Sequence, residues 1–263
     1  MGTIIYLIVS FLSSTVGAIC GIGGGVIIKP VLDVVHIDTV ATISFLSGCT
    51  VLTMSVYSVT RSIIARENAI DLKTGTPLAI GAAIGGIVGK QLFEMVAAAF
   101  PTPDMAGAVQ AGVLGVITFG TLLYTIYKNR IHGMQIQNKA LCILIGVILG
   151  IFSSFLGIGG GPINLVLLFY FFSMDTKTAA KNSLYIILFS QAASLLATIV
   201  TQSVPEFGIE KIVVMVAGGI LGGMAGRVFN KKLSAHAVDR LFIGLMGVII
   251  FICVYNLFQF VQV

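Results

Sequence analysis

The chain has 263 residues, of which 57% are hydrophobic and only 10% charged, and its mean hydropathy is +1.06. A soluble domain carries about 25% charged residues, so this sequence lacks the side chains to clothe a water-facing surface, and a soluble globular domain is excluded. The net charge of +5 reports topology in such a chain, not affinity for nucleic acid.

The first apolar leg, Thr3–Cys20, has no Lys or Arg ahead of it and so lacks the basic n-region of a signal peptide. Ile19 is too large to precede a lipoprotein cysteine at Cys20, and the leg reads as a retained first helix. The pentapeptide GIGGG follows at Gly21–Gly25, then a short leg, Val26–Val35. Three full-length spans come next: Thr39–Ser62, Gly75–Ala98 and Ala106–Tyr127. The pattern then repeats. A leg, Lys139–Leu156, leads to a second GIGGG at Gly157–Gly161 and a short leg, Pro162–Ser173. The spans Thr176–Gln202, Gly208–Phe229 and Ala237–Phe260 complete the chain. Runs without any charge, Ala140–Met174 and Asn182–Pro205, reach the roughly 20 residues that cross a bilayer.

Three matches lie at offsets that agree within one residue. The GIGGG copies lie 136 residues apart; Asp38-Thr39 with Asp175-Thr176, and GGIVGK (85–90) with GGMAGR (222–227), lie 137 apart. The sequence predicts a duplication of residues 1–130 and 137–263 within one membrane domain. Basic residues cluster around 61–73 (Arg61, Arg66, Lys73), 128–139 (Lys128, Arg130, Lys139) and 227–240 (Arg227, Lys231, Lys232, Arg240). The loops at Asp104 and at Pro205-Glu206 carry none. Basic loops face the cytoplasm, and threading on that rule places both termini outside and inverts the halves. The expectation is an all-α polytopic protein of the cell (inner) membrane. Each of its two inverted repeats has a glycine-broken re-entrant or half-helix hairpin plus three full transmembrane helices. Inverted repeats are a recurrent transporter architecture with a midplane site.

The leg after each GIGGG spans about 15–20 Å at 1.5 Å per residue, short of the ~30 Å core. Bare backbone at that depth must be buried in protein or line a wet cavity. Four glycines in five positions open their N–H groups, and each starts a half-helix whose N-terminus favours an anion. Helix packing is the competing reading, and it fits GGIVGK and GGMAGR better, since packing faces space small residues four apart. GIGGG is no P-loop and no G-x-G-x-x-G, because Val26 and Pro162 stand where the third glycine belongs.

GIGGGVIIKPVL (21–32) resembles the G-x-G-G-G-x-x-x-x-P-x-L signature of the sulfite exporter (TauE/SafE) family of membrane permeases. GIGGGPINLVLL (157–168) repeats it, with Val166 in the proline position, and Ala180–Leu184 is similar to the A-x-G-T-S-L stretch that follows. The resemblance covers essentially the whole chain and implies transport of sulfur-containing anions such as sulfite or sulfonates. Lys29, Pro162 and Asn164 depart from it and leave the particular anion open.

The substrate-binding expectation comprises Gly21, Gly23, Gly24, Gly25, Lys29, Gly157, Gly159, Gly160, Gly161, Asn164, Lys181, Asn182 and Ser183. Lys29 reads either as an anion partner or as half of an i,i+4 pair with Asp33. Lys181 reads as facing a polar cavity or as snorkelling to headgroups. Gln191, Thr15, Ser153 and Ser154 carry hydrogen-bonding groups that serve equally in helix contacts. Asp38 and Asp175 are expected N-caps. No role is given to His36, His132 or His236. Cys20, Cys49, Cys142 and Cys253 lack metal or disulfide spacing and read as small apolar residues. No Ser/His pair, HExxH or paired aspartates occur in the spans, so the reading is a non-enzyme without cofactor or metal. Its partners are a small sulfur-containing anion and the lipid bilayer, with no nucleic acid; an oligomer is left open. An anion channel and a non-transporting scaffold are the alternatives.

Overall fold

A computed structural model describes residues 2–35, 37–65, 70–100 and 102–262, so His36, Arg66 and Glu67 lie outside it. Ten α-helices account for most of the described chain: α1 (Gly2–Cys20), α2 (Gly25–Val35), α3 (Val40–Ile64), α4 (Leu72–Ala99), α5 (Pro103–Tyr127), α6 (Lys139–Phe155), α7 (Pro162–Phe172), α8 (Thr176–Val200), α9 (Ile209–Lys232) and α10 (Ala235–Gln262). Seven are long and apolar enough to cross a membrane: α1, α3, α4, α5, α8, α9 and α10. The expected spans match α3–α5 and α8–α10 within a few residues. α1 also reaches spanning length, although it was read as one arm of a hairpin.

The caps explain where helices begin. Asp71 accepts from the Lys73 amide, Asn138 from Ala140, and Asp175 from Lys177 and Thr178, each satisfying an amide with no partner inside its helix. The expected cap at Asp38 is not formed. Thr39 caps α3 instead, accepting from the Thr42 amide. The Asp38 carboxylate turns to Lys211, 2.9 Å from its Nζ, and accepts from the Tyr6 hydroxyl. A full cationic partner outweighs one helix amide.

Contacts join the elements into two ends of one bundle. At the first end, Asp38 before α3 meets Lys211 of α9, the Thr42 hydroxyl donates to the Glu206 carbonyl, and Ser203 after α8 donates to Glu94 of α4. At the second end, Arg227 of α9 donates to Ser62 and to the Arg61 carbonyl of α3. There too Asn182 of α8 accepts from the Asp71 amide, and Lys128 bridges Asp239 and Thr176. α3 and α9 therefore start at the first end, while α4 and α8 start at the second.

Two helix pairs interlock the halves. α1 lies along α9 and α6 along α4. A Cβ on Gly81, Gly85 or Gly89 of α4 would run into the carbonyls of Ile143, Val147 and Ile151 of α6. One on Gly218, Gly222 or Gly226 of α9 would meet Leu7, Phe11 and Thr15 of α1. The GGIVGK and GGMAGR stretches are thus packing stripes, as expected. Glycine spaced by four lets the backbones touch, the usual device where lipid removes any hydrophobic drive between helices.

Candidate functional site

Each GIGGG ends one helix and starts another in the same way. The Ile22 amide donates to the Gly17 carbonyl and the Ile158 amide to the Ser153 carbonyl. Both close a Schellman-type cap over a glycine in the left-handed region, Gly21 at φ 78° and Gly157 at φ 65°. A side chain at either would also collide, with Ala180 at Gly21 and with Ser44 at Gly157. The chain then doubles back, because Gly24 lies against Ser14 of α1, and Tyr6 shares a core cluster with Ile28 and Leu32 of α2.

The two breaks meet each other. The Gly161 N–H donates to the Ile22 carbonyl at 3.1 Å. Gly25, at the start of α2, presses so close on the Ile158 carbonyl that no Cβ fits, and Gly23 sits beside the Gly159 carbonyl. Their other neighbours are Val51 and Ile187, near the middle of the 25-residue helices α3 and α8. Gly160 packs on Ile187 and on the Asn164 side-chain amide, and Gly161 on Val26. Asn164 is buried, and its Oδ1 has no partner.

A polar cleft opens from the first end and reaches the second break. Ser44, Lys90, Gln110, Ser154, Gly157 and Gln191 line it, around a cavity of about 30 Å³, room for about two waters. The hydroxyls of Ser44 and Ser154 and the Gln110 Oε1 make no hydrogen bond there, which is uncommon for buried polar atoms. Gln110 Nε2 donates to the Phe155 carbonyl at 2.6 Å, and Gln191 Nε2 to Ser153. Lys90 stands at the side, ion-paired to Glu94 at 3.3 Å and over the Phe93 ring. Hydroxyl and amide donors beside an open glycine backbone can surround a small oxyanion from several directions.

The remaining sequence-derived candidates divide. Lys29 is 3% exposed and pairs with Asp33 at 2.8 Å. With Asn256 and Cys253 of α10 it lines a separate, smaller cavity that shares Gln110 with the cleft. Asn182 holds the start of α4, and its Nδ2 donates to the Thr178 carbonyl. Ser183 is fully buried with an unpartnered hydroxyl. Lys181 lines a second polar cleft at the opposite end with Arg227, Asn230 and Lys231. Thr15 bonds back to the Phe11 carbonyl of its own helix. Sequence reasoning missed Ser44, Lys90, Gln110, Ser194 and Thr198 as cleft residues. The signal was present in the hydroxyls at positions 44, 47, 55, 58 and 62 of α3, which keep one helical face.

The family model described as Sulfite exporter TauE/SafE matches residues 6–252. The chain is 21% identical over 261 residues to the "Probable membrane transporter protein YunE" of Bacillus subtilis (strain 168), covering 90% of this chain and 92% of that protein. No solved structure matches. With seven helices able to span and a family match over nearly its full length, the chain is a multi-pass membrane protein that belongs to the sulfite exporter TauE/SafE family of membrane transporters.

Proposed function

We propose that the protein is a secondary transporter of small sulfur-containing anions, sulfite, thiosulfate or an organosulfonate, which it holds at the paired glycine breaks. The single observation that carries this reading is the contact of the two breaks through Gly161 and Ile22 at mid-helix depth, beside unpartnered hydroxyls. Broken helices at the midplane supply backbone amides and helix N-termini to anions in transporters. The glycines 21, 23, 24, 25, 157, 159, 160 and 161 shape the seat, and Asn164, Ser183 and the cleft hydroxyls donate around it. No bond of the substrate is made or broken.

The two halves work as inverted repeats. Equivalent helices start at opposite ends, as α3 and α8 do, and so do α4 and α9. Rocking of one half against the other exposes the seat to each side in turn. The second end, with Arg61, Lys128, Arg227 and Lys231, faces the cytoplasm of a cell membrane, and both termini lie outside.

Uptake of radiolabelled sulfite into liposomes holding the purified protein tests this. Expected is saturable uptake, inhibited by unlabelled sulfite, thiosulfate or sulfoacetate and not by chloride. Folded protein in both orientations without such uptake overturns the reading, and non-saturating flux makes the protein a channel.

A further inference from the structure

Each break is held by a side-chain amide from the other half of the chain. Gln110 of α5 donates from Nε2 to the Phe155 carbonyl at 2.6 Å, and Asn230 of α9 donates from Nδ2 to the Ile19 carbonyl at 2.6 Å. Phe155 and Ile19 occupy the same place, two residues before their GIGGG, in last turns whose carbonyls have no further helical amide to bond. Gln110 lines the first-end cleft and Asn230 the second.

The Phe155 bond fixes which way round the Gln110 amide sits. Only its NH2 end can donate to a carbonyl; turned over, it would set oxygen against oxygen. Gln110 Oε1 is therefore committed as an acceptor. The side chain is 3% exposed, and Oε1 accepts no hydrogen bond within the protein. Gln110 stands between the cleft and the smaller cavity beside Lys29. In that smaller cavity the Lys29 ammonium is turned to Asp33 and the Asn256 amide to the Pro30 carbonyl. On the cleft side stand the unpartnered hydroxyls of Ser44 and Ser154. A hydroxyl can turn to donate or to accept, but an amide oxygen only accepts. An oxyanion that carries a proton offers Oε1 a donor. One without a proton leaves this buried acceptor unpaired, and a site built to bond a substrate proton rejects the analogue that lacks it.

We infer that Gln110 is a specificity-determining residue that reads the protonation state of the anion: its Oε1 accepts a hydrogen bond from hydrogensulfite, so the cleft takes this monoanion and excludes oxyanions without a proton, such as sulfate and thiosulfate. The Ser44 and Ser154 hydroxyls donate to the other oxygens. The inference rests on the cleft serving the anion seat of the proposed transporter, and it narrows the substrate class to proton-bearing oxyanions. The proton then crosses on the anion and needs no carboxylate relay in the spans. Among the described lining residues, the titratable groups around Gln110 are Lys90 from α4, paired with Glu94, the Lys29–Asp33 pair from α2, and the Cys253 thiol from α10. A test by pH must separate their titration from that of the ligand.

Equilibrium binding of radiolabelled sulfite to the purified full-length protein, followed across pH, does this without flux. Hydrogenselenite has the same pyramidal shape and keeps its proton to higher pH than hydrogensulfite. Expected is sulfite affinity that falls about tenfold per pH unit once hydrogensulfite deprotonates. The midpoint for selenite, measured as a competitor, should lie at correspondingly higher pH, whereas a titrating protein group would move both midpoints together. Below the sulfite midpoint, sulfate and thiosulfate should bind at least about tenfold more weakly than sulfite. Gln110→Met, with its fold checked by thermal melt, should abolish that preference and flatten the profile. Ser154→Ala removes a donor only, and should weaken sulfite without moving the midpoint. Coincident midpoints for sulfite and selenite, sulfate or thiosulfate binding as well as sulfite, or an unchanged preference in Gln110→Met each overturns the inference, and the first two need no variant. Binding that follows the ligand's proton without liposome uptake keeps the inference and sinks the transporter; saturable uptake with coincident midpoints does the reverse. Absence of sulfite binding at every pH overturns both.

Discussion

Gly157 combines a left-handed backbone with the Ser44 side chain in its Cβ direction. Gly157→Ala should cost about 1–2 kcal/mol from backbone strain alone and lower sulfite uptake at least tenfold. Gly120 in α5 has open space around a built Cβ, so Gly120→Ala should leave uptake unchanged; thermal melts and liposome flux of both variants check this. Lys29 and Asp33 present another residue-scale case. Lys29→Met takes the 2.8 Å cation away from the buried Asp33 carboxylate and should cost about 3–5 kcal/mol, most of it regained on adding Asp33→Leu. Because the pair faces α10 rather than the cleft, the double variant should still transport. Asp175 is pushed up by burial, but hydrogen bonds from the Thr178 hydroxyl and from the Thr178 and Lys177 amides outweigh that and hold its carboxyl below the ordinary value of 3.8. A depressed carboxyl stabilises the fold above the ordinary value, and that contribution fades as pH falls through the lowered one. Asp175→Ala should cost about 1 kcal/mol near neutrality, and the gap to the parent should shrink in acid, read by denaturation across pH.

Among the elements, the α4–α6 and α1–α9 pairs fasten each broken hairpin to the other half. Gly85→Leu and Gly222→Leu push a side chain into the Val147 and Phe11 carbonyls, and overpacking of this kind costs about 1–3 kcal/mol. Both should lower the melting temperature in detergent by similar amounts, since they occupy equivalent places. These stripes were legible because glycines four apart mark a helix face whatever it touches. The breaks were legible too: four glycines in five residues neither continue a helix nor pack as a stripe. Their approach to each other near mid-depth was expected from the threading, but the particular contact was not legible, because the Gly161–Ile22 hydrogen bond joins segments that no local pattern relates.

For the whole molecule, the orientation is open to direct measurement. With a membrane-impermeant maleimide on intact cells, Ser203→Cys at the first end should label, and Lys73→Cys at the second only after permeabilisation; the reverse would place the basic end outside. The sequence alone determined the class, the helix boundaries to within a few residues and the position of both breaks. Each of these follows from hydropathy, spacing or glycine chemistry along one stretch of chain. Tertiary structure decided which polar residues lie together. Ser44, Lys90, Gln110, Ser154 and Gln191 come from five helices, and taken singly each looks like an ordinary buried polar group. It also decided Asp38, where Lys211, far off in sequence, outcompeted the local helix amide. A local pattern fixes what a residue can offer; only the fold brings it a partner.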